Sequence, residues 1–284
     1  MLPVALDAHR CEFKDIRTTA RAIRNADLDI LVDLTPWPRL TALYAASSNA
    51  VTVGFRSERQ WRHFAFDIAV PHLSTLHELD NLRAMAEVFG KCPDYRPILR
   101  NDLPEPRNEL PYERLVLCHV APGGSRAKEK SWPTERWAEL IFRLATSGFV
   151  VGLTGTNADA SMAAAILALL KAPQTSVMSL CGNLTLMELA VALRAARMLV
   201  TVDTGVLHLA SALEVPTIAL HGPTRSQRWG SRSPNTLSLD APHPDAGFIH
   251  LGFEHSPAGA DIMKTLTVDR VYAAAMSVLA RRTA

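Results

Sequence analysis

The sequence predicts an α/β protein built from two open parallel sheets, and three observations carry that expectation. Short β-branched or Leu-rich runs alternate with segments of helical periodicity, the rhythm of βα units around a parallel sheet. A polar stretch with five prolines, CPDYRPILRNDLPEPRNELPYE at 92–113, breaks that rhythm without a sustained apolar period and reads as a linker. Beyond it the alternation restarts more cleanly. A chain of 284 residues accommodates two medium domains, placed at 1–106 and 107–284.

In the first domain, strands are expected at 3–6 (PVAL), 28–34, 50–55 and 66–71, with helices at 13–26, 38–47 and 77–90. In the second, strands are expected at 114–120, 149–155, 176–180, 198–202 and 216–222, with helices at 133–147, 158–171, 185–196 and 205–213. Pro133 suits a first helical turn, and Gly148 stops that helix just before the next strand. Residues 223–262, rich in Pro, Gly, His and Ser, read as irregular. Residues 267–282 form a last amphipathic helix capped by Thr267, assigned to the second domain or packed back on the first.

Composition narrows the function classes. A hydrophobic fraction of 48% supplies a real core, and a net charge of +2 without a long basic run argues against nucleic acid as a partner. Cys11, Cys92, Cys118 and Cys181 lack CxxC or zinc spacing and read as reduced, mostly buried thiols. No apolar run approaches the ~20 residues that span a bilayer, and the first residues lack a signal-peptide pattern, so a cytoplasmic protein is expected.

Three strand-to-helix turns in the second domain carry residues suited to a ligand, since open α/β sheets bind ligands at the carboxyl ends of their strands. In APGGSRAKEKSWP (121–133), Gly123 and Gly124 allow close backbone approach, Ser125 supplies a hydroxyl, and Lys128 and Lys130 supply cations for a diphosphate. The GxxxxGK[ST] phosphate-loop spacing is absent, and a solvated connecting loop is the structural alternative. In LTGTNAD (153–159), Thr154, Gly155 and Thr156 line a pocket or simply form a turn that Asn157 caps. In VTVDTGVLHLASALEVPTIALHGPT (200–224), Thr204 and Gly205 offer helix N-terminal N–H groups, Asp203 accepts from sugar hydroxyls, and His208 lies one turn on. Taken alone, Asp203 or Thr204 could equally be a plain helix cap.

The last stretch resembles the signature of glycosyltransferase family 9, the heptosyltransferases of lipopolysaccharide core synthesis. The residues that carry the resemblance are Asp203, Thr204, Gly205, His208, Pro216, Gly222, Pro223 and Thr224, joined by Lys130, Trp132 and Pro133 of a Lys-x-Trp-Pro loop. LDILVDL, VTVGFRSE and LHELDNLRAMAEVFG are similar to first-domain segments of the same family, so the resemblance covers most of 28–224 and the last helix.

The resemblance implies a GT-B-like fold of two Rossmann-like domains, the first one shortened, with the nucleotide sugar held by the C-terminal domain. It implies catalytic roles for Lys130, Asp203 and His208, with Lys130 neutralising the donor diphosphate. It places Thr204, Gly205, His208 and Thr224 around an ADP-heptose-like donor, to which the turn residues Gly123, Gly124, Ser125, Thr154 and Gly155 are also assigned. It further implies inverting transfer to a lipopolysaccharide or related glycan acceptor, at the cytoplasmic side with peripheral contact to the inner membrane. No cofactor or metal is expected, because lysine and helix dipole offset the leaving charge and the chain has no DxD-like motif or His/Cys ligand cluster. The chain departs from the family at its start, where the usual strand, Gly-Asp turn and helix with the proposed general base are not recognisable; no base is assigned. The alternative function is therefore a non-catalytic nucleotide-sugar binder.

Overall fold

The computed structural model describes residues 15–91, 96–99, 103–106, 110–124, 126–170, 176–251 and 254–281. The expected strand at 3–6, together with Cys11 and Cys92, lies outside them. The chain divides into two compact units, Met1–Pro93 and Asp94–Ala284. This division falls ahead of the 106/107 boundary read from composition, because described parts of the Pro-rich stretch are bonded into the second unit. The Leu99 N–H donates to the Ala212 carbonyl at 2.8 Å, and Arg194 donates to the Pro104 carbonyl at 2.9 Å.

The first unit contains a three-stranded parallel sheet in the order β1 (Ile30–Asp33), β2 (Val51–Arg56), β3 (Ile68–Pro71). Three helices accompany it: α1 (Ile16–Arg24), α2 (Arg39–Ala46) and α3 (Glu78–Ala86). Asp15 starts α1 by accepting the Thr18 N–H at 2.7 Å. One face of the sheet packs Ala42, Ala45, Ala65 and Phe66; the other packs Val53, Phe55, Val70 and Met85. The Phe66 ring lies only 2.3 Å from where a Cβ on Gly54 would sit, so β2 needs glycine there.

A buried ion pair ties this unit's loops together. Arg62 donates to the Asp33 carboxylate at 2.5 Å, with the two side chains 0% and 6% exposed. The same guanidinium reaches the Thr35 carbonyl and, at 3.2 Å, the Thr41 hydroxyl. Burial pulls the Arg62 pKa down, and the Asp33 charge opposes that pull.

The second unit contains a six-stranded parallel sheet of β4 (Leu115–His119), β5 (Val150–Thr154), β6 (Val177–Ser179), β7 (Met198–Val202), β8 (Thr217–His221) and β9 (Thr236–Asp240). Their order is β6-β5-β4-β7-β8-β9. The helices are α4 (Ala127–Lys130), α5 (Thr134–Thr146), α6 (Ala160–Ala168), α7 (Leu186–Ala195), α8 (Gly205–Ala212), α9 (Ser226–Trp229) and α10 (Val268–Ala280). Strands β4, β5, β7 and β8 are buried along their whole length, the pattern of a parallel sheet covered on both faces. Val116, Cys118, Val200 and Ile218 face α5, α6 and α10; Leu115, Leu117 and Leu199 face α7 and α8. The Cys118 thiol, sealed in that core, is pushed up to about 12 by burial.

Two expectations are corrected here. Residues 223–262 are not wholly irregular, since 226–229 is a helical turn and 236–240 is the sixth strand. TLSLD offers only two apolar side chains between Ser, Pro and Asn, too few to signal a strand, yet it pairs with β8 from Thr217↔Thr236 to His221↔Asp240. The cap of the helix after β5 is Thr156 rather than Asn157: Thr156 and Asp159 form a reciprocal capping box. The last helix, α10, carries the Thr267 cap and buries Val271, Ala275 and Leu279 in the second unit's core.

Arg62→Met is expected to destabilise the protein by about 3–5 kcal/mol, because Asp33 is left as a buried, unpaired charge. Chemical denaturation of the full chain measures this; a loss below ~1 kcal/mol would show that the pair contributes little.

Candidate active site

The strand order sets where a ligand can sit. The chain runs outward from β4 through β5 to β6, then returns to the other side of β4 and runs outward again through β7, β8 and β9. The crossovers leave in opposite directions from the β4/β7 pair, so a crevice opens at the carboxyl ends of those strands. A cleft of about 650 Å³ lies there, lined by residues that follow β4 (Ala121, Pro122, Gly123), β5 (Gly155, Thr156) and β7 (Thr204, Gly205, Val206).

At one wall stands the N-terminus of α8. Thr204 holds the cap position with φ −156° and ψ 167°, but its side chain makes no capping bond. The capping alternative therefore does not hold for Thr204, and among the described residues the first-turn N–H groups have no side-chain acceptor. Such an end carries about half a positive charge and open donors, which suits an anion. Gly123 faces this wall: a Cβ on it would lie 3.7 Å from the Thr204 hydroxyl. Lys130 reaches back along its loop and donates to the Gly123 carbonyl at 2.9 Å, placing its ammonium beside the cleft. Gly124 adopts φ +74°, a left-handed conformation that favours glycine. Ser125 lies outside the described residues.

The loop's other motif residues have structural work. The Trp132 indole donates to the Leu266 carbonyl at 3.0 Å, and its ring meets Trp137 edge-on at 5.0 Å.

Part of the cleft floor, His119 and Asp159, was not visible in the sequence. His119, at the end of β4, shares a hydrogen bond of 3.0 Å between Nδ1 and the Thr154 hydroxyl. Burial holds its pKa down to about 4, with Asp159 opposing the shift, so the imidazole is neutral near pH 7. Asp159 also lines the cleft, while its carboxylate accepts the Thr156 N–H at 2.7 Å. A histidine ending an apolar strand, and an acid three residues after Thr156, were the available signals. The far wall is apolar, formed by Leu180, Leu184, Leu186 and Leu189. A groove of about 370 Å³ adjoins it, sharing Leu180 and Leu184.

The structure thus brings Gly123, Thr154, Gly155, Thr204 and Gly205 to one cleft. Asp203, His208 and Thr224 are not among its lining residues; Asp203 and His208 belong to a second polar group centred on His221. Val202 is partnered with Leu220, so Asp203 follows β7 beside His221. His221 is wholly buried, and neither ring nitrogen has a hydrogen-bond partner among the described residues. Burial lowers its pKa, the Asp203 and Asp240 charges oppose that shift, and His208 adds to it. The Thr224 hydroxyl is likewise buried without a partner. The turn carrying it is tightly braced, for a Cβ on Gly222 would fall 2.4 Å from Met263 Sδ. Among the described residues, no group of three or more His, Cys, Asp or Glu is placed to hold a metal ion.

A crevice at the switch point of a Rossmann-like sheet defines an open α/β protein of the class that takes its ligands at the carboxyl ends of the strands. Residues 16–245 match glycosyltransferase family 9 (heptosyltransferase), and the chain belongs to that family. It is 30% identical over 184 residues to lipopolysaccharide heptosyltransferase 1 of Pseudomonas aeruginosa, covering 62% of this chain and 49% of that protein. It is 35% identical over 109 residues to lipopolysaccharide heptosyltransferase 2 of Salmonella typhimurium, covering 38% and 31%. The chain thus spans about half the length of the first relative and less of the second. Among solved structures, E. coli ADP-heptose lipopolysaccharide heptosyltransferase II superposes with a TM-score of 0.69 at 20% identity, over 95% of this chain and 82% of that one. An E. coli heptosyltransferase solved with ADP gives 0.67 at 20% identity, over 93% and 77%. These likenesses show that the fold is of the GT-B class.

Two measurements follow from the histidines. The folded His119 pKa lies below its ordinary value of 6.5, so the unfolded chain binds more protons in that range. The stability it contributes is present above about pH 6.5 and is lost as pH falls from there towards about 4, a slope that His119→Gln is expected to flatten in thermal melts. His221→Phe is expected to stabilise the fold by about 1–3 kcal/mol, since an apolar ring removes two unpaired buried polar atoms. A lowered melting temperature would show that the imidazole has a partner.

Proposed function

We propose that the protein transfers a sugar, a heptose, from an ADP-linked donor to a lipopolysaccharide-core or related glycan acceptor. The observation that carries this reading is the cleft at the β4/β7 switch point, where an uncapped helix N-terminus, a lysine beside Gly123 and an apolar wall converge. Family membership, and structures of an E. coli heptosyltransferase with ADP and with ADP-2-deoxy-2-fluoro heptose, support the choice of donor.

In this reading the diphosphate lies against the Thr204 and Gly205 amides and the Gly123–Gly124 backbone. The base enters the apolar wall at Leu180, Leu184 and Leu189, and Thr154, Gly155 and the neutral His119 face it from the floor. Asp203, half-buried at the end of β7, takes sugar hydroxyls. His208, exposed one turn into α8, completes the sugar side. The acceptor hydroxyl displaces the nucleotide diphosphate with inversion at the anomeric carbon; the C–O bond to the leaving phosphate breaks as the new glycosidic bond forms, and the acceptor's proton is released to water. Lys130 and the α8 dipole offset the charge that grows on the leaving group, the task a divalent metal performs elsewhere. The reaction takes place in the cytoplasm, with peripheral contact at the inner membrane surface.

Calorimetry with ADP, UDP and GDP is expected to select one nucleotide, and Lys130→Ala to weaken its binding by about 1.5–3 kcal/mol. Asp203→Asn is expected to weaken nucleotide-sugar binding far more than binding of the bare nucleotide. Equal losses for both would remove the sugar role. Turnover is expected to be indifferent to EDTA; activity lost with chelator and restored by magnesium would contradict the metal-free mechanism. Donor binding without any release of nucleotide diphosphate in the presence of acceptor would favour the non-catalytic binder.

A further inference from the structure

The connection from β2 to β3 in the first unit has no full helix, and it displays its largest apolar side chains to solvent. Trp61 and Phe64 are each 69% exposed, more than any other large hydrophobic side chain described in this unit. They are strung through His63 into a continuous ridge, with ring centroids 6.3 Å apart from Trp61 to His63 and 6.4 Å from His63 to Phe64.

The ridge is built, not frayed. Arg62, between the two aromatic residues, points inward to Asp33, Thr35 and Thr41. Arg39 Nε donates to the Gln60 carbonyl at 3.1 Å, and the Ser57 hydroxyl donates to the Pro36 carbonyl. These anchors hold Arg59 and Trp61 at φ +60° and +55°, a left-handed conformation that costs a non-glycine residue free energy. A buried ion pair and two strained residues therefore keep a Trp and a Phe in water, where burial would be favourable.

The charges around the ridge decide the occupant. Arg39, Arg56 and Arg59 are exposed in and around this connection against two exposed acids, Glu58 and Asp67, of which Asp67 already accepts the Thr52 N–H and hydroxyl, while Arg62 is neutralised by Asp33. A second copy meeting this surface through a two-fold axis would set arginine against arginine. An anionic bilayer complements it: Trp and Phe partition to the boundary between headgroups and acyl chains, and guanidinium forks pair with lipid phosphates.

We propose that the Trp61–His63–Phe64 ridge docks the protein on an anionic lipid bilayer, with Trp61 and Phe64 inserted and Arg39, Arg56 and Arg59 on the phosphates. This gives the membrane contact proposed above a location, and it does not rest on the donor site.

Co-sedimentation of the full chain with phosphatidylglycerol/phosphatidylethanolamine vesicles, and with phosphatidylcholine vesicles, tests it without donor or acceptor. Binding is expected to favour the anionic vesicles and weaken with salt. Trp61→Ser with Phe64→Ser is expected to lower it by about tenfold or more, and Arg56→Gln with Arg59→Gln by about fivefold per arginine. Brominated lipid is expected to quench tryptophan fluorescence in the natural chain and less in Trp61→Phe. No vesicle binding by a chain with intact circular dichroism, or equal binding by the Ser/Ser variant, overturns the proposal. So does a dimer in light scattering that the Ser/Ser variant converts to monomer, because the ridge would then be an interface between copies.

Discussion

The parallel pairing of β4 with β7 is the constraint on which the second unit depends. Residues 116–119 of one strand lie beside 198–201 of the other, although some eighty positions separate them. That register sets the loop after Val120 opposite the turn after Val202. Gly123 thereby comes to face Thr204, and the α8 N-terminus opens onto a space rather than onto packed side chains. Every other feature of the cleft is arranged around that meeting: β5 brings Thr154 and Gly155 alongside, and α7 closes the apolar end. Because the pairing is flanked by apolar cores on both faces, the site rests on a part of the molecule that resists local opening.

What the sequence made legible was local. Strand-to-helix turns that carry Gly, Thr or Asp are written in consecutive residues, so the loops at 121–124, 154–156 and 203–205 could be recognised one by one. Their convergence could not, because it depends on strand order. His119 illustrates the gap: in isolation it is one polar residue at the end of an apolar run, and only the β4–β5 register sets it against Thr154. His221 and Asp240 are farther out of reach, since β9 carries too little apolar signal to be recognised as a strand. The helix-cap alternative for Thr204 failed for the opposite reason: capping chemistry was available, but the Thr204 side chain is not used for it.

The first-unit sheet reads well from sequence at Ile30–Asp33, Val51–Arg56 and Ile68–Pro71, where β-branched runs are bounded by polar turns. Its organising pair, Arg62 with Asp33, does not. Arginine in a polar loop ordinarily signals solvent exposure, and only the tertiary structure turns this one inward and its aromatic neighbours outward.

The bond from the Trp132 indole to the Leu266 carbonyl joins two parts of the chain 134 residues apart. Arg136 donates to the same carbonyl, so the segment that begins at Lys130 and runs into α5 is fastened to the start of the final helical segment. This bears on the order in which the protein matures during synthesis. The β4–β5 half of the sheet can pair while the ribosome is still adding residues, but the lysine loop gains its support only when Leu266 has left the exit tunnel. The lysine-loop side of the cleft is therefore among the last parts to take shape, and a nascent chain presents its sheet well before it presents a finished cleft.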